Sequence, residues 1–140
     1  MSTWRRYDTD PSVMFSVHSD DGTYIYAGEG ARLLGWDPKD LIGKNPYVDF
    51  LPEEDVAAIA AGHEALMNED EEVVFIYRYP DGKGGFQWVK TVTYGAASFE
   101  GRVTVAQTRP TAPQDAVEVR LARTARNDGP RAAYEAHEAD

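Results

Sequence analysis

Apolar and polar positions change their period along this chain, and the changes mark out its elements. Met14-Phe15-Ser16-Val17-His18 alternates as a strand does, and Thr23-Tyr24-Ile25-Tyr26-Ala27 is β-branched and aromatic. Asp20-Asp21-Gly22 between them is a tight-turn signal, so 14–18 and 23–27 are predicted to pair as a hairpin. Gly28 and Gly30 end the second strand. The stretch up to Lys44 predicts two helices of one or two turns. The first carries the apolar patch Ala31, Leu33, Leu34 and Trp36. The second has Asp37 as N-cap and Pro38 at its first position, and Gly43 stops it after Leu41 and Ile42. Helices this short are unstable alone and need a sheet to lie against.

Asn45-Pro46 predicts a bend, followed by the apolar group Val48, Phe50 and Leu51. Pro52-Glu53-Glu54-Asp55 then reads as a helix start, with acids in the first turn. Val56, Ile59, Ala60, His63, Leu66 and Met67 follow at helical period, giving one long helix over 52–68 that ends in Asn68-Glu69-Asp70. Three strands come next: Glu72–Tyr79, Phe86–Ala96 and Arg102–Thr108. The turns 80–85 and 98–101 join them as hairpins. The order β-β-α-α-α-β-β-β predicts an α+β fold, a five-stranded antiparallel sheet with short helices and one longer helix on one face. Residues 1–12 read as an irregular arm or a short cap helix, and 13–109 as the folded domain. Residues 110–126 read as a linker with helical potential over 114–126, bearing Arg120, Arg123 and Arg126. Residues 127–140 read as a disordered tail.

Composition narrows the function. The chain has 140 residues, and 42% of them are hydrophobic, the measure of an ordinary globular domain. The net charge of −10 argues against nucleic acid, whose binding draws on neutralised phosphates, and against anionic membrane surfaces. There is no Cys, which removes disulfides, thiolate nucleophiles and Cys-ligated metals, and fits a reducing cytoplasm. The acidic runs Glu53-Glu54-Asp55 and Glu69-Asp70-Glu71-Glu72 read as helix N-terminal acids and a solvated turn. No nucleophile–base pair and no phosphate loop is present, so no catalysis is expected. The three His make no metal-ligand spacing.

The segments FSVHSDDGTYIYAG, LLGWDPKDLIGKN, LPEED and IYRYPDGKGGFQWV, in this order and at these distances, resemble a PAS domain over roughly 13–109. The resemblance implies a sensory or regulatory module that binds a small molecule in a cavity or pairs through the outer face of its sheet. It implies cavity candidates at Phe50, Ile59, His63, Tyr77, Thr91 and Gln107. Matching the Trp88 strand to the family puts Val89, Thr91 and Thr93 inward, with Phe75, Tyr77 and Tyr79 opposite them. The inner face then reads as a cavity for a small, partly polar ligand, or as a filled core whose Tyr and Thr groups bond locally. Val74, Ile76, Trp88 and Val92 go outward, too apolar for water. The N-terminal arm with Trp4 and Tyr7, the 114–126 segment or a second subunit would cover them, and a homodimer through this face is expected.

The family's photochemistry does not fit. In the light-oxygen-voltage type a reactive Cys follows a Gly-basic-Asn trio. Here Gly43-Lys44-Asn45 is followed by Pro46, so no flavin adduct forms. Gln107 stands where that type places a flavin-contacting Gln. Haem-binding members carry an axial His on the long helix near Ile59, and His63 lies one turn later. The resemblance therefore leaves a ligand-free interaction module, or a haem- or flavin-based sensor, as alternatives. The last strand ends Gln107-Thr108-Arg109-Pro110 and lacks the Asp-(Ile/Val)-Thr run through which many members couple to an effector.

Overall fold

The computed structural model describes residues 3–68, 72–98, 101–122 and 129–138. The turn residues Glu69-Asp70 and Phe99-Glu100, the basic Arg123 and Arg126, and the side chains of Met67 and His137 lie outside that description. Six strands form: β1 Met14–His18, β2 Tyr24–Ala27, β3 Glu72–Pro80, β4 Phe86–Ser98, β5 Gly101–Pro110 and β6 Glu118–Leu121. They make one antiparallel sheet in the order β2-β1-β5-β4-β3-β6. The five expected strands are all present, and β6 is an addition at the edge.

The short helices start where their caps require. A 3-10 helix, Glu29–Leu34, ends at Gly35, whose φ of +88° is a left-handed conformation that side chains resist. In α1 (Pro38–Leu41) the Asp37 carboxylate accepts a bond from the Lys39 amide at 3.1 Å, with Pro38 at the first position. The expected bend at Asn45-Pro46 is in fact a third short helix, α2 (Pro46–Asp49). Asn45 Oδ1 accepts from the Tyr47 amide at 2.9 Å, and Asp49 reaches back to the Asn45 amide at 2.8 Å.

The long helix α3 (Glu53–Asn68) buries Asp55, Ile59, Gly62 and Leu66. That stripe is rotated from the expected one, since Ala60 is exposed and Val56 is half-buried. Asp55 is inside because Arg78 pairs with it at 3.0 Å. Gly62 is inside because Phe75 and Val119 fill the space a Cβ would need.

Two elements depart from the sequence reading. Residues 118–121 form β6, not a helix, pairing Val73 with Leu121 and Phe75 with Val119. Val117 and Val119 pack into the cluster of Ile59, Leu66, Val73 and Phe75, and Glu118 and Arg120 alternate with them. The tail read as disordered contains α4 (Gly129–Glu138), with Pro130 in its first turn. Tertiary docking holds it, as the Tyr134 ring stacks on Tyr7 at 5.3 Å and on Trp4 at 6.4 Å. Glu72 also accepts a bond from the Arg131 amide at 3.1 Å.

The sheet thus separates two apolar layers. On the inner face Ala31, Leu34, Leu41, Tyr79 and Val89 belong to one cluster, and Ile59, Leu66 and Phe75 to its neighbour. On the outer face Phe15, Val17, Tyr94, Val103 and Val105 lie under Trp4, Tyr7 and Tyr134. The arm, expected as one cover for Val74, Ile76, Trp88 and Val92, is a 3-10 turn, Thr3–Tyr7, that packs with α4 on this other part of the face. Tyr134→Ala is expected to cost about 2–4 kcal/mol. Urea denaturation checks this, and an unchanged midpoint would mean that α4 adds nothing to the outer layer.

Candidate functional site

Pairing decides which side chains meet. Thr91 of β4 stands between Phe75 of β3 and Thr108 of β5, and Thr93 stands between Val73 and Ala106. On the next strand over, His18 pairs with Thr104 and Ser16 with Ala106. All of these positions share the inner face, because paired residues point to the same side. Between this face and the helices lies a cavity of about 60 Å³. The sheet contributes Phe75, Tyr77, Thr91, Thr93, Thr104, Ala106 and Thr108. Ile59, His63 and Leu66 come from α3, Pro46 and Tyr47 from α2, and Leu51 from between them. The first hairpin supplies His18, Gly22 and Tyr24. Among the described residues no Asp, Glu, Lys or Arg stands in this lining.

The hydroxyls form a directed chain. Thr91 donates to the Tyr77 hydroxyl at 3.3 Å and lies 2.9 Å from the Thr108 hydroxyl. With its one proton given to Tyr77, Thr91 must accept from Thr108, and the Tyr77 proton stays available. Thr93 donates to the Val73 carbonyl at 3.0 Å. The Tyr24 and Tyr79 hydroxyls share a buried bond of 2.8 Å at the border with the adjoining core. Burial raises Tyr77, and burial together with nearby Tyr77 raises Tyr47, so both phenols stay protonated.

Two histidines close the hairpin side. His18 Nδ1 lies 3.1 Å from the Gly22 carbonyl, which only accepts, so Nδ1 carries the proton. Nε2 then accepts from the Ser16 hydroxyl at 3.0 Å. His63 Nε2 in turn donates to the Asp20 carbonyl at 2.6 Å. The same turn is held by Asn45, whose amide donates to the Asp21 carbonyl at 3.0 Å, and by Tyr47, whose ring abuts Gly22. Burial pushes the His18 imidazole down to about 4, outweighing the Gly22 bond, so it is neutral near pH 7.

Of the six expected site residues, Ile59, His63, Tyr77 and Thr91 come together in this cavity. Phe50 sits in the adjoining core, its ring against Tyr79, Trp36 and Tyr24 at 5.5, 5.4 and 6.2 Å. Gln107 is a correction, because it pairs with Val92 and Phe15 and therefore faces outward. Thr104, Ala106 and Thr108 hold the inner positions of β5. His18, Thr104 and Tyr47 are lining residues that sequence reasoning passed over. Val74, Ile76, Trp88 and Val92 keep the outward side, but Val74 and Ile76 are buried within the single chain and Trp88 and Val92 are half-buried.

The residues do not fit a haem or a flavin. His63 Nε2 is engaged by the Asp20 carbonyl, and the space holds a few waters' volume, far less than a tetrapyrrole or an isoalloxazine.

The chain was also compared with known proteins. A family model described as PAS fold matches residues 7–106. Among solved structures, the Drosophila melanogaster Cycle PAS-B domain with bound ethylene glycol has a TM-score of 0.63 at 20% identity. It covers 70% of this chain and 99% of its own. A PAS domain from a two-component sensor histidine kinase has a TM-score of 0.59 at 17% identity, covering 71% and 86%. A PAS domain of an HTR-like protein from Haloarcula marismortui has 0.56 at 20%, again covering 71% and 86%. Comparison with curated proteins gives no match. No helix among the described residues is long and apolar enough to cross a membrane.

The His18 shift has a sign. Below pH 6.5 the unfolded chain takes up a proton that the folded site refuses, so stability falls as pH drops from 6.5 to about 4. A loss on the order of 2 kcal/mol is expected across that window. Asp21, held low by Ser19 and Thr23, acts only further down, from 3.8 towards about 2. Denaturation midpoints measured from pH 7 to 4 should show the slope in the wild type and a flatter line in His18→Gln. Parallel slopes would remove His18 as its cause.

Proposed function

The chain belongs to the PAS fold family, and on that premise we propose that it is a sensory or regulatory module whose cavity takes a small molecule. One observation carries this reading: a space of about 60 Å³ is lined by hydroxyls and two histidines among apolar walls. A filled core would leave no such space, and the mixture of apolar walls with a few polar groups is what small-molecule sites use. The bound ethylene glycol of the Cycle PAS-B structure is consistent with such use of this fold. Signalling output would follow from differential binding to two states of the domain.

Pairing through the outer face is the second reading, and it has less surface than the sequence suggests. Trp4, Tyr7 and Tyr134 already cover one part, and Val74 and Ile76 are buried. Half-buried Trp88 and Val92 remain for a partner. Catalysis has no support in the lining, which offers no charged acid–base pair.

A thermal-shift screen tests the cavity reading. At a ligand concentration about 100-fold over Kd, stabilisation of about 2.7 kcal/mol is expected, a shift of several degrees for a domain of this size. Ala106→Leu fills the floor of the cavity and should abolish that shift. A panel of small metabolites with no shift, or one equal in both proteins, would contradict the reading.

A further inference from the structure

We propose that the cavity selects an uncharged molecule of about five non-hydrogen atoms bearing an acceptor oxygen, a small amide, ketone or alcohol, anchored by the Thr104 hydroxyl. The inference rests on the cavity reading above and narrows it.

Size comes first. One water needs about 10–15 Å³ of such space. The 60 Å³ available therefore accommodates a handful of heavy atoms.

Polarity comes next. Thr104 is 3% exposed, faces inward opposite His18, and lines the cavity. Its hydroxyl makes no hydrogen bond to any described residue. A buried hydroxyl left this way is costly unless something in the cavity completes it. Two further hydroxyl-bearing residues line the same cavity. The Tyr77 proton is left over by the Thr108–Thr91–Tyr77 chain, and the Tyr47 hydroxyl has no partner among the described residues. Each of these three hydroxyls on the lining can donate to an acceptor that a ligand brings.

Among the described residues the walls offer no carboxylate, ammonium or guanidinium, and His18 is neutral. An ion entering would lose its hydration with no opposite charge to replace it.

Titration of propionamide, propionate and propylammonium, followed by amide chemical shifts around the cavity, tests this. Propionamide is expected to bind at least about tenfold tighter than either ion. Thr104→Val, close in shape, should weaken it about tenfold, and Thr104→Ser should restore it. Equal or tighter binding of propionate or propylammonium, or unchanged binding in Thr104→Val, overturns the class and leaves the cavity reading standing. No binding by any of the three also overturns it, and the Ala106→Leu comparison then decides the cavity reading alone.

Discussion

Thr91 pairs with Phe75 on one side and Thr108 on the other, and the two layers of the molecule follow from that register. In a strand the side-chain period is two, so a slip of one residue would exchange every inner and outer group. With this register the threonines of β4 and β5 line the cavity. Val103, Val105 and Tyr94 turn outward to the arm and α4. Hairpin connections hold the register at both ends, Pro80 opposite Phe86 and Ser98 opposite Gly101. The Asp81 carboxylate fixes the first turn by accepting from the amides of Lys83 and Gly85 at 2.7 and 3.1 Å.

The wall opposite the sheet is built from pieces too short to stand alone, and polar bonds to backbone carbonyls pin them. Trp36 donates to the Pro80 carbonyl and Gln87 to the Leu34 carbonyl, tying the first short helix to the long hairpin. Asn45 and His63 do the same for the 19–23 turn. Backbone carbonyls of one element, from buried Leu34 to exposed Asp20, are thus bonded by side chains of another, which fixes the spacing of wall and sheet. A cavity persists where these ties hold the layers apart.

Much of the fold is legible in the residues. The strands and the Asp37-Pro38 and Pro52 helix starts follow from period and capping, and the inward set on β3 and β4 follows from the resemblance to the family. What escapes has definite causes. Val117-Glu118-Val119-Arg120-Leu121 alternates as a strand does, yet its alanine- and arginine-rich flanks imitate a helix. α4 depends on aromatic stacking with residues more than a hundred positions away, which no local pattern reveals. The α3 stripe is masked by a carboxylate that Arg78 neutralises and a glycine that packing requires. Gln107 is the instructive case. Once Thr91 is inward and the 98–101 turn is placed, pairing puts Thr108 inward and Gln107 outward. Analogy with a flavin-contacting Gln points the other way, and the register overrules it. Thr104 follows from the same count, four residues before Thr108 on the same face.

The most direct measurement is a crystal structure of the protein with propionamide. The account predicts the amide between the helices and the sheet, its oxygen within hydrogen-bond distance of Thr104, and the Gln107 side chain on the opposite face beside Val92. A Gln107 side chain inside the cavity, or a ligand seated away from Thr104, would contradict it.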